Sequence, residues 1–186
     1  MKRIITAILA AALAASVCVF AGCGEGAQSS ATEPATEAVT EAPKLEELQL
    51  SRGTFMKYDP NVVTVEGYDV SANDGSWTLS IHECYDADNL AKRKEYYDKA
   101  VNDEGHTDVV TAEKQLGAYK YQTVTYTANA QYFANYLVAF DAPVPLEYDY
   151  EMHGLWLTAW MEENTPESLA AIESVISTIE VRAFEG

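Results

Sequence analysis

Polarity changes in blocks along this chain. From Ile4 to Gly22 no charged residue interrupts a run dominated by Ala, Ile, Leu and Val. From Gly24 to Pro43 large apolar side chains nearly vanish, leaving one Val among mostly Gly, Ser, Ala, Thr, Glu and Pro. From about Leu45 onward, apolar positions recur with the periods of folded structure. Trp77 to Cys84 alternates, which predicts a strand with Trp77, Leu79 and Ile81 on one face and Ser80, His82 and Cys84 on the other. Arg52 to Tyr58 and Val62 to Ser71 read as two further strands, separated by a turn at Asp59-Pro60. Asn73-Asp74-Gly75-Ser76 is a hairpin signal. A helix is expected from Asp86 or Asp88, either a good N-cap, with Ala87, Leu90, Ala91, Tyr97 and Val101 at helical spacing and Gly105 closing it. Three more strands follow at about Tyr119 to Thr127, Tyr132 to Asp141 and Leu155 to Met161. Thr165-Pro166 starts a second helix whose apolar stripe is Leu169, Ile172, Val175, Ile176 and Ile179. A short strand, Glu180 to Arg182, ends the pattern.

Strands in runs broken by hairpins, with two separated helices, predict an α+β domain: a mainly antiparallel sheet of about six strands flanked by two helices. The chain divides into residues 1–22, 23–44 and 45–186. The first carries Lys2 and Arg3 ahead of its apolar run and ends in small residues, as a signal peptide does. The run is also long enough for a membrane span of roughly 18 residues, but no basic cluster follows to stop it. The second segment repeats Thr-Glu at Thr32-Glu33, Thr36-Glu37 and Thr40-Glu41. It offers too little apolar surface to offset the entropy of ordering and is expected to act as a tether.

Charge narrows the function classes. Of 186 residues 29 are acidic and 12 basic, for a net −17. Most of this, −16, belongs to residues 45–186. Binding nucleic acid needs clustered Lys and Arg to meet phosphates, so nucleic acid is excluded as a partner. Lys92-Arg93-Lys94 is the single basic cluster, expected on a solvated helix face near Glu95 and Asp98. No Gly-rich loop joins a strand to a helix, so no phosphate-bearing cofactor is expected. Of Cys18, Cys23 and Cys84, the first lies in the segment to be removed, and with Cys23 occupied by an anchor only Cys84 remains, leaving no intramolecular disulfide in a mature chain.

Phe20-Ala21-Gly22-Cys23 resembles the lipobox of bacterial lipoproteins, and the Thr/Glu/Pro spacer is similar to those of Gram-positive lipoproteins. That resemblance implies cleavage before Cys23, a diacylglyceryl thioether on Cys23, and a domain lipid-anchored on the extracytoplasmic face of the cell membrane. Phe20 stands where such motifs usually carry Leu. Two acyl chains anchor stably where one does so only marginally. The competing expectation is cleavage after Ala21 and release of a secreted protein. The order of elements resembles the PsbP/Mog1-like α/β/α sandwich at three places: Asn73-Asp74-Gly75-Ser76 leading into a strand and a charged helix, Gly117-Ala118-Tyr119-Lys120-Tyr121 opening a strand, and the closing helix Ser168 to Ile179. Members of that fold are mostly non-catalytic binding or assembly proteins, so the resemblance implies an extracytoplasmic binding or accessory module.

Three candidate chemistries remain. His82 and Cys84 share a predicted strand face as a nucleophile–base pair for an envelope hydrolase, with His153 the alternative base; the plain alternative is a small buried thiol beside a polar neighbour. Asp149, Glu151 and His153 alternate, with Glu147 in line before them, and in an extended segment all point one way as ligands for calcium or manganese. Pro143 and Pro145 nearby favour a solvated acidic loop instead. Finally, Trp156, Thr158 and Trp160 share one face of the last long strand, while Tyr132, Tyr136 and Phe140 share a face of its neighbour. Exposed, Trp156, Trp160 and Tyr136 suit sugar rings or a peptide of an envelope glycan or protein partner. Covered by helices on both faces, they are core.

Overall fold

The structure, a computed structural model, describes residues 44–184. The signal segment, Cys23 and the tether up to residue 43 lie outside the described residues. Alternation drives the architecture. In β5 (Trp77–Cys84) Trp77, Leu79 and Ile81 are buried, while Thr78, Ser80 and His82 are half-buried. β9 (Glu151–Met161) repeats this with Leu155, Leu157, Ala159 and Met161 buried on the same side. These two strands pair antiparallel at the middle of a seven-stranded sheet. It also contains β3 (Val63–Glu66), β4 (Asp69–Ala72), β6 (Thr107–Leu116), β7 (Tyr119–Ala128) and β8 (Gln131–Pro145). The order is β3-β4-β5-β9-β8-β7-β6, every pair antiparallel. A second sheet of three antiparallel strands joins β1 (Glu46–Gln49), β2 (Thr54–Tyr58) and β10 (Glu180–Val181).

Among the described residues the fold is therefore α+β with two helices and antiparallel sheets, but with ten strands in two sheets rather than about six in one. Three differences account for the count. The expected strand Val62 to Ser71 is a hairpin: Gly67, with φ +62°, reverses the chain between β3 and β4. A side chain rarely adopts that conformation, whereas glycine does so freely. β6 reads Thr-Asp-Val-Val-Thr-Ala-Glu-Lys-Gln-Leu and lies at the sheet edge with most positions exposed, so it lacks an apolar alternation. β1 is a four-residue edge strand of the small sheet. Pro143 and Pro145 do not make a loop; β8 runs through to Pro145 after a register shift beyond Ala139, at the strand end where a missing N–H is tolerated.

Two helices cover the large sheet unequally. α1 (Ala87–Asn102) begins where the Asp86 carboxylate accepts the Asn89 N–H at 2.6 Å. It crosses from the middle strand β5 to the edge strand β6 and buries Leu90 and Ala100, with Tyr97 packed alongside. Below it lie Cys84, Leu137 and Trp156. Gly154 permits this approach, because a Cβ there would fall 2.3 Å from the Val138 carbonyl oxygen and 3.1 Å from Leu90 Cδ1. The helix ends at Asp103, whose N–H reaches the Lys99 carbonyl, two residues before Gly105. α2 (Pro166–Ile176) starts at Thr165, whose hydroxyl accepts the Ser168 N–H. It places Ile172, Val175 and Ile176 on the opposite sheet face, in one core with Met56 of the small sheet and Leu79, Ile81, Leu155 and Leu157. Each such side chain, fully buried, contributes roughly 1.5–3 kcal/mol.

Glu83 ties the two sheets together. Pointing into the α2-side core from β5, its carboxylate accepts hydrogen bonds from the Ser51, Thr54 and Tyr85 hydroxyls. Thr54 belongs to β2, so the bond to Glu83 joins the small sheet to the large one. Among the described residues no helix is long and apolar enough to cross a membrane.

Candidate functional site

Antiparallel register decides which aromatic side chains meet. Leu137 stands opposite Trp156, Asn135 opposite Thr158, and Phe133 opposite Trp160. Those six share the face toward α1, and Tyr126 joins them opposite Phe133. Tyr136 pairs with Leu157 and therefore points the other way. It is 1% exposed, its hydroxyl donates to the Glu173 carboxylate at 3.3 Å, and Glu173 also holds Lys114 at 2.5 Å. Burial raises the Tyr136 phenol well above its ordinary value, with Glu173 adding to the effect. The expectation of Tyr136 as a ligand-binding residue is corrected: the two-residue period turns it into the α2-side core. Trp156 is corrected in part. It is 4% exposed, packed beneath α1 against Leu90 and Leu137. Trp160, two residues along the same face, is past the end of that cover and is 39% exposed.

The difference between the two tryptophans marks where α1 stops shielding the sheet. Beyond it the α1-side face is lined by Thr78 and Ser80 of β5, Thr158 and Trp160 of β9, and Phe133 of β8. Ser71 and Asp69 of β4 continue the row, with Ser71 hydrogen-bonded to Thr78 at 3.0 Å and Ser80 donating to Asp69 at 2.5 Å. Both faces had been expected to pack against helices; one is half open and carries hydroxyls and aromatic rings.

A cleft of about 320 Å³ opens at the junction of covered and uncovered sheet, between the C-terminal turns of α1 and strands β7 to β9. Tyr96, His106, Tyr126, Asn135, Trp156 and Thr158 line it. His106 stacks on Tyr126 with ring centroids 4.2 Å apart, and Tyr126 stacks on Phe133 at 5.2 Å. The His106 Nδ1–H donates to the Ala100 carbonyl at 3.0 Å, which leaves Nε2 of the neutral ring as an acceptor. Asn135 is 3% exposed, and its amide donates only a long bond, 3.4 Å, to the Tyr126 hydroxyl. Its Oδ1 has no hydrogen-bond partner. A buried polar atom left in that state costs about 1–3 kcal/mol. His106, Tyr126 and Asn135 did not emerge from the sequence as site residues. The available signal was Asn135 itself, an amide in the middle of an apolar strand flanked by Ala134 and Tyr136.

The hydrolase pair is not poised. His82 and Cys84 do share the α1-side face, but burial drives the Cys84 thiol up to about 11 and the His82 imidazole below its ordinary value. A nucleophilic cysteine needs the opposite shift. The metal expectation is also corrected. Glu147 and Asp149 lie in a short 3-10 turn in which Tyr148 and Asp149 both have φ 59°, so the segment is not extended and its side chains do not line up. Glu151 and His153 begin β9 and stand 3.7 Å apart, Oε2 to Nε2, but Asp149 does not join them. Among the described residues no group of three or more His, Cys, Asp or Glu side chains is gathered as a metal ion would require. Arg93 lies over the Tyr96 ring, 5.5 Å from its centroid.

No protein-family model matches the chain, and no curated protein does. A solved structure from Bacteroides thetaiotaomicron VPI-5482 aligns with 76% of this chain at 14% identity and a TM-score of 0.32. The aligned part of this chain spans 43% of that protein's length.

Proposed function

We propose that this chain is a cell-envelope lipoprotein, anchored through Cys23 on the extracytoplasmic face of the membrane, whose domain is a non-catalytic binding or accessory module. The observation that carries the binding reading is the uncovered half of the α1-side sheet face, where Trp160 stands among Thr78, Ser80 and Thr158. Trp160 forms a cross-strand pair with Phe133 there, and a Trp side chain joins apolar area to a polar tip in the way a contact surface uses. The arrangement of a central antiparallel sheet between helices supports a PsbP/Mog1-like sandwich, to which the three-stranded sheet is an addition. The absence of a poised nucleophile at His82 and Cys84 supports binding over turnover.

Two measurements on intact cells test this reading. Replacing Cys23 by Ala is expected to move the protein from the membrane fraction into the medium; retention in the membrane would refute the anchor. A photo-cross-linking residue at Ser80, on the open face, is expected to capture an envelope component that the same residue at Glu167 on α2 does not. Equal capture from both positions, or none from Ser80, would refute the face assignment.

A further inference from the structure

The cleft beside α1 and the open face next to it share one chemistry, and that chemistry identifies a ligand class. Asn135 Oδ1 is buried in the cleft wall and lacks a donor. Thr158, opposite it in register, adds a hydroxyl, and the His106 Nε2 adds an acceptor. One strand step further on, Phe133 and Trp160 form a cross-strand pair on the same face. Two residues along a strand span about 7 Å, so a ligand a few rings long reaches from the Trp160 indole to Asn135. The indole offers an apolar face beside groups that accept and donate hydrogen bonds, a combination suited to a ring with C–H groups on its face and hydroxyls at its edge.

Charge selects among such ligands. Residues 45–186 carry a net −16, and Asp69 borders the open face from β4. An anionic chain would be repelled. At the cleft rim Lys99 and Asp103 are of opposite sign, so the cleft lining itself presents no net charge for an ionic ligand to pair with. A peptide strand would pair with a free sheet edge, whereas Trp160 and Asn135 sit on central strands whose backbone groups are already paired on both sides.

Resting on the binding-module reading above, we propose that this face binds a neutral saccharide, one ring stacked on Trp160 and a hydroxyl of an adjacent ring hydrogen-bonded to Thr158 where the cleft opens beside Asn135. The test titrates the full chain in detergent with neutral cello-, malto-, manno- and chito-oligosaccharides, and with polygalacturonate as the anionic comparison. Intrinsic tryptophan fluorescence and calorimetry give the readout. At least one neutral oligosaccharide is expected to bind saturably and to change the Trp160 emission, with polygalacturonate inert. Trp160→Ala and Thr158→Val, each confirmed to be folded by a cooperative thermal melt, are expected to weaken binding by about tenfold or more, and Tyr148→Ala on the remote exposed turn by none. No neutral oligosaccharide bound at millimolar concentration, preference for polygalacturonate, or binding that survives both Trp160→Ala and Thr158→Val would overturn the proposal. Failure of saccharide binding with the Ser80 cross-link intact refutes the ligand class and spares the binding module; failure of both refutes both.

Discussion

On one face of the seven-stranded sheet α2 sets Ile172, Val175 and Ile176 into a core shared with a second sheet, and Glu83 adds hydrogen bonds from Ser51 and Thr54 across the same seam. On the other face the longer helix α1 buries only Leu90 and Ala100 and covers Cys84, Leu137 and Trp156, leaving Trp160 in the open. The comparison teaches that helix length is a poor guide to cover. α1 has 16 residues and α2 has 11, yet α2 has the broader apolar stripe, and a helix contributes through the stripe it buries. One face is closed over a continuous core, and the other is left partly uncovered.

That contrast is open to direct challenge. The largest effect is expected in the α2-side core: Ile176→Ala should cost about 4 kcal/mol in a chemical denaturation measurement, and Leu90→Ala under α1 about 2 kcal/mol. Equal losses would mean that α1 is as deeply held as α2. Next in size, Glu83→Gln removes a charged acceptor from three hydroxyls while keeping the shape, and about 1–3 kcal/mol should be lost in the same assay. A neutral outcome would show that the seam is held by apolar contact alone.

A smaller effect is expected from alkaline pH. Burial pushes the Cys84 thiol up to about 11 and raises the Tyr121 and Tyr136 phenols above their ordinary values. Groups whose folded pKa is raised favour the native state while protonated, so stability is full below pH 9 and falls as pH rises through about 11. Melting temperature followed across that range should decline, and Cys84→Ala should remove the earliest part of the decline. The smallest stability effect belongs to Trp160→Ala, about 1 kcal/mol, because the indole is 39% exposed and withdraws less area from water than a core side chain. A large loss of stability there would make Trp160 a core residue and close the open face.

Much of this fold was legible because local rules and burial agree. Trp77 to His82 alternates without a break, and β5 runs over the expected span Trp77–Cys84. Thr165-Pro166 begins α2 where a capping hydroxyl followed by proline predicts. The hairpin at residues 73–76 joins β4 to β5. β6 was not legible, since an edge strand exposed on both faces has no reason to alternate. The division of Val62 to Ser71 at Gly67 was hidden by valines on either side of the turn. Of the candidate site, the shared face of Trp156, Thr158 and Trp160 was readable from the period of two, but the roles of Tyr136, His106, Tyr126 and Asn135 were not.

Composition and the backbone periods of 2.0 and 3.6 set the class of structure, the net acidity of the domain and the side of each strand on which a residue points. Only the tertiary structure decided which side is covered. Register between β8 and β9 set Asn135 beside Thr158 and Tyr136 beside Leu157, and the place where α1 ends buried Trp156 and exposed Trp160. Periodicity is a property of a single segment, whereas cover is a property of which segments meet.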